Sequence, residues 1–232
     1  ALLGVWILRR HLFSGKVYFS EVQDQWSFGK WTAFGTLLLI IQTHMGIPII
    51  VYYSDARAAG IFSAGANLLI ILDHFTTAVL TVQLPAVSRL TRRSEYLAYI
   101  RRSLLLYVTV ILAFIPFVFL ARPAILFLYG PQYEESVFVL QVLFFGYLAT
   151  LLTHPLYLVF LSMKRPHIYT TMAVTSFVGW LLAAALLIPS LAAEGAAWSL
   201  LFARLVQAAV IGYMLWHVLR KVPQLCETET KH

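Results

Sequence analysis

Lysine and arginine crowd into alternate gaps between long apolar segments, and that alternation limits the chain more than any motif in it. One set of gaps holds Arg9, Arg10, Lys16 and Lys30, then Arg89, Arg92, Arg93, Arg101 and Arg102. Lys164 and Arg165 follow in the same set, and then Arg220, Lys221 and Lys231, which brings it to 14 of the 17 basic side chains. The intervening gaps hold only Arg57 and Arg122, and Arg204 lies inside an apolar segment. Basic residues remain on the cytoplasmic side of a membrane, so this spacing predicts a polytopic membrane protein with both ends of its bundle in the cytoplasm.

A membrane helix needs about 20 mostly apolar residues. Six segments meet that length: Gly29–Tyr53, Ile61–Val87, Ser103–Ala121, Ser136–Met163, Ile168–Ile188 and Gly195–Leu219. Six crossings return the chain to its starting side, as the charge count requires. The expected fold is all-α, a six-helix transmembrane bundle over residues 28–219, with a cytoplasmic tail over 220–232. Residues 1–27 are expected to hold the end of a preceding membrane helix, Ala1–Leu8, and a cytoplasmic linker, as if the chain were a piece of a longer protein. Pro48, Pro116 and Pro155 fall inside spans and are expected to kink or interrupt them. The basic stretch Ser88–Arg102 reads either as an interfacial amphipathic helix or as a solvated loop.

Composition closes off other classes. The chain is 60% hydrophobic and 12% charged, against about 45–50% and about 25% for soluble domains. The net charge of +7 could suggest nucleic acid, but the basic residues flank apolar spans and are not interleaved with aromatics on a polar face. Nucleic acid is therefore excluded as a partner, and anionic membrane lipids are the expected neighbours. Trp26, Trp31 and Trp216 read as anchors at the membrane–water boundary. The single Cys226 allows no intrachain disulfide.

Polar residues inside spans are the functional candidates, because a charge at the bilayer centre costs about 2.5–3.5 kcal/mol on insertion scales. Asp73, His74 and Asn67 fall in the second span, His44 and Gln42 in the first, His154 and Gln141 in the fourth, and Arg204 and Gln207 in the sixth. Arg204 and Gln207 are three apart and share a helix face, so a cavity that receives one should receive both. The structural alternative is an Asp73–Arg204 pair that locks two helices. No catalytic residues, cofactor or metal are expected: the chain has no HExxH, no G-x-S-x-G and no glycine-rich phosphate loop.

Four stretches carry a resemblance: GIFSAGANL (60–68), QLPAVSRL (83–90), ILFLYGPQYEES (125–136) and GAAWSLLFARLVQ (195–207). Together they resemble the C-terminal half of a polysaccharide-biosynthesis flippase of the MOP superfamily, with Phe62 where that family usually has Tyr. The resemblance implies one lobe of a two-lobed transporter whose other, N-terminal six-helix lobe is a partner. It also implies alternating-access export of undecaprenyl-linked oligosaccharide across the inner or plasma membrane, as in lipopolysaccharide assembly. In that setting Arg204, Gln207, Asp73, His74, His44, Asn67 and His154 would line a cavity for the lipid-linked pyrophosphate and its glycan. Other readings are a drug or metabolite antiporter of the same superfamily, a multispanning polysaccharide-assembly enzyme, and a structural membrane subunit.

Overall fold

A computed structural model of the chain describes residues 19–90, 93–162 and 166–221. The expected helix end at Ala1–Leu8 and the polar tail beyond Lys221 lie outside the described residues. Among the described residues there are helices and turns and no strand. The helices are α1 (Phe19–His44), α2 (Gly46–Tyr53), α3 (Ala56–Val87), α4 (Arg93–Phe114), α5 (Pro116–Tyr129), α6 (Ser136–Ser162) and α7 (Pro166–Lys221). A 3-10 turn, Pro131–Tyr133, joins α5 to α6.

Proline sets two of the breaks. Pro48 has no N–H for the carbonyl four residues back, and the helix is interrupted at Met45, between α1 and α2. Pro116 does the same at Ile115, between α4 and α5. Pro155 is instead absorbed within α6. Asp55 starts α3, its carboxylate accepting from the Ala58 N–H at 2.7 Å. Gly130 ends α5 at φ 87, a backbone conformation suited to glycine.

Among the described residues, five helical runs are long and apolar enough to cross a membrane, the last being His167–Val218 with 52 residues. At 1.5 Å per residue such a run would be about 78 Å long, over twice a hydrocarbon core of about 30 Å. It does not run straight. Ala192 has φ 47 and ψ −117, and the chain reverses there. Ser176 Oγ donates to the Ala203 carbonyl at 3.3 Å, and Gln207 Nε2 donates to Met172 Sδ at 3.6 Å. Position sums near 380 are the mark of an antiparallel pair, so α7 is a hairpin of two limbs. With α1/α2, α3, α4/α5 and α6 it makes the expected six crossings.

Two boundaries differ from the sequence reading. The third crossing starts at Arg93, about a turn and a half from Val87, and carries Arg101 and Arg102 inside its helix. It is neither a solvated loop nor a separate interfacial helix over its second half. Hydropathy marks where a helix becomes apolar, whereas hydrogen bonding continues the helix into the headgroup zone. At the other end, α1 begins at Phe19 and so takes in residues 19–27, while the apolar run that follows keeps the expected bounds, Gly29–Tyr53.

The crossings pack through small residues. A Cβ on Gly65 of α3 would lie 3.1 Å from the Leu140 backbone nitrogen of α6. Gly146 of α6 meets the Leu201 backbone of α7 at 3.5 Å by the same measure. In lipid, where apolar burial drives little association, such close approach supplies the packing. α6 sits at the centre, with Val139, Leu140, Leu151 and Val159 wholly buried. Phe119, Phe127, Leu186 and Leu205 are exposed, as lipid-facing side chains must be. At one rim Arg57 pairs with Glu135 at 3.1 Å and Arg122 with Glu134 at 2.7 Å, tying neighbouring helix ends together.

Ala192 is the one described non-glycine residue at positive φ. A residue held in such a region costs about 1–3 kcal/mol. Ala192→Gly is therefore expected to raise the thermal unfolding temperature of the purified protein, and an unchanged or lower temperature would refute the strain.

Candidate functional site

A cavity of about 140 Å³ opens among α1, α3, α6 and the second limb of α7. Its polar lining is Thr43, Asp73, Tyr147, Thr150 and Arg204, and the rest is apolar. Helical spacing explains why these residues meet. Positions 143, 146, 147 and 150 form one face of α6, positions 62, 66, 69 and 73 one face of α3, and positions 200, 201 and 204 one face of α7.

Asp73 and Arg204 thus share a wall and attract each other across it, with no direct ion-pair contact between them. A helix-locking pair would need a direct contact beyond this attraction across the cavity. Arg204 Nη1 donates to Gln207 Oε1 at 3.4 Å, a long bond that leaves most of the guanidinium's five donors for the cavity. Gln207 itself is buried and turned toward Met172, outside the cavity lining. Gln207 therefore does not join Arg204 in lining this cavity. A shared helix face does not fix where the tip of a long side chain goes.

The other sequence candidates separate. Asn67 and His74 lie on the exposed face of α3, which continues through Thr77 and Thr81. These positions, 67, 74, 77 and 81, form one stripe, adjacent to Asp73 and not part of the cavity lining. His44 is exposed at the end of α1, beside Thr43. His154 is removed from the cavity lining; its Nδ1 is buried without a partner, and its ring stands 6.5 Å from that of Tyr107.

Three cavity residues escape the sequence reading. Thr43 and Thr150 bond back to their own helices, to Leu39 O at 2.9 Å and Gly146 O at 3.1 Å. Tyr147 donates to the Leu72 carbonyl and also bonds Thr76 Oγ1, linking α6 to α3. Residues so satisfied carry no penalty in a span, so hydropathy does not flag them. The signal that could have found them is the α6 face spacing that leads from Gly146 to Thr150.

The arrangement offers one cation, one carboxylate and three hydroxyls inside the bilayer-spanning part of a bundle. No group of three or more His, Cys, Asp or Glu among the described residues could hold a metal ion. The cavity can bind a polar group without bonding it covalently. Comparison with known proteins gives a match to a family model described as polysaccharide biosynthesis protein, over residues 1–138. That range takes in three of the four quoted stretches and stops short of the fourth, at 195–207. No curated protein and no solved structure matches the chain.

Proposed function

The chain belongs to the polysaccharide biosynthesis protein family, and from that membership we propose that it carries lipid-linked oligosaccharide units across the membrane. The observation that supports this best is the placement of Asp73 and Arg204 on one cavity wall beside the exposed polar stripe of α3. Asn67 and His74 would be costly against hydrocarbon, while Thr77 and Thr81, bonded back to their own helix, extend the same polar stripe. They suit a water-filled cleft, closed on its far side by a second helix bundle.

In this reading Arg204 binds the pyrophosphate that joins glycan to lipid, because its planar fork can meet two oxygens at once. The hydroxyls and Asp73 meet the sugar. The prenyl tail remains in the bilayer, sliding past the apolar exterior while the head passes through the cleft. Rocking of one bundle against the other opens the cleft to each side in turn. The role is transport without covalent chemistry, in the inner or plasma membrane, with the Lys30, Arg89 and Arg220 ends of the bundle in the cytoplasm.

The test is reconstitution. The full-length gene product is placed in liposomes with an undecaprenyl-linked oligosaccharide bearing a fluorescent sugar, and access of a membrane-impermeant quencher is followed. Faster transfer than in protein-free liposomes is the expected result. Equal rates, with the protein folded and correctly inserted, would overturn the reading.

A further inference from the structure

The directions of the hydrogen bonds around the cavity carry a conclusion about what it selects, one that rests on the transport reading above. Thr43 Oγ1 donates to Leu39 O and Thr150 Oγ1 donates to Gly146 O. The Tyr147 hydroxyl donates to Leu72 O. Each threonine hydroxyl owns a single hydrogen, so a ligand beside it meets a lone pair. The Tyr147 hydroxyl is buried between Leu72 O and Thr76 Oγ1. The Asp73 carboxylate is an acceptor as well. Thr43, Thr150 and Asp73 therefore offer acceptors on the wall, and Arg204 offers donors.

Such a wall is poorly matched to a simple anion. A phosphate can take the Arg204 donors, but every other polar group it meets presents lone pairs. A ligand that satisfies the whole wall presents its phosphate linkage to Arg204 and, on the sugar beside it, several O–H or N–H donors. We infer that the cavity selects a phosphate-linked sugar rich in donors, hydroxyl or ammonium, and rejects one whose first sugar carries a carboxylate. Sugar hydroxyls donate to Thr43, Thr150 and Asp73 at no cost in charge. A sugar ammonium adds an ion pair with Asp73. A uronic acid places a second negative charge near Asp73 with no second cation to offset it, in a site where low dielectric strengthens the repulsion.

The experiment compares soluble head groups. Purified full-length protein in nanodiscs is titrated with glucosamine 1-phosphate, glucose 1-phosphate and glucuronic acid 1-phosphate, with binding read by ligand-observed NMR. Wild type is expected to bind the glucuronic acid compound about tenfold more weakly than the glucose compound, the amino sugar binding best. Asp73→Asn, which keeps shape and removes charge, is expected to narrow the glucose–glucuronic acid gap to about threefold or less. If Asp73→Asn does not fold, the wild-type ranking decides alone. Equal binding of all three by wild type would overturn the selectivity and leave the phosphate site standing. Binding of none would overturn the phosphate site, and the selectivity with it.

Discussion

Replacing Arg204 with alanine is expected to remove most export of surface polysaccharide while leaving the protein at normal membrane abundance. The two halves of that result have separate causes. Arg204 makes no direct ion-pair contact and a single long bond, to Gln207 at 3.4 Å, with Asp73 attracting it across the cavity. Its removal breaks no short contact, and the lost attraction to Asp73 is offset by relief of the cost of holding a cation in the membrane. A charge-assisted contact to phosphate contributes about 1.5–3 kcal/mol, so its loss weakens head-group binding by roughly 10- to 150-fold. Arg204→Lys keeps the charge and loses the fork, and is expected to fall between alanine and wild type. Surface polysaccharide is measured in cells whose own copy of the gene is deleted, beside the amount of protein in the membrane. Full export by both variants, or a loss matched by loss of protein, would return Arg204 to a packing role.

Gly195→Val is expected to do the reverse, abolishing the folded protein with no direct effect on the cavity. A side chain at Gly195 would collide with the Leu187 carbonyl across the α7 turn, and what it meets is backbone, which cannot swing aside. Forcing extra carbon into a packed contact costs about 1–3 kcal/mol and more where backbone is in the way. Here it pushes apart two limbs whose mutual contact places Arg204. Gly212, on the same limb, has nothing within 4 Å of its would-be Cβ and serves as the control. Membrane abundance and monodispersity after detergent extraction are the measurements. Wild-type behaviour of Gly195→Val would mean that the hairpin is not packed as described.

The crossings were legible in the sequence because hydropathy and charge report them directly, and two of their interruptions were legible because Pro48 and Pro116 each remove a backbone donor. The start of the third crossing was not. Arg101 and Arg102 read as part of a basic gap, either loop or interfacial helix, and they lie in a helix that begins at Arg93 and runs on into the span, since basic side chains can reach the headgroups from a helix that does not end. The turn of α7 was expected as a short gap over Pro189–Glu194, and the chain instead reverses around Ala192 with almost no loop. Asp73 and Arg204 were found because a charge in a span stands out. Thr43, Tyr147 and Thr150 stayed hidden because a hydroxyl bonded to its own or a neighbouring helix carries no sequence signature. Gln207 was recognised on its face but not in its direction, which depends on Met172, 35 positions away.

The rim pairs Arg57–Glu135 and Arg122–Glu134 add little stability, each being more than half exposed. Their consequence is electrical. The two arginines that interrupt the charge alternation are each cancelled by a glutamate, and Asp55 and Glu194 lie toward that same end in sequence. One end of the bundle is thus free of uncompensated cations while the other keeps Lys30, Arg89, Arg101 and Arg102. Across an energised membrane, carrying one such charge to the wrong side costs about 2.3 kcal/mol per 100 mV. In the orientation proposed above, four of them make inversion of the finished bundle an uphill step of many times the thermal energy.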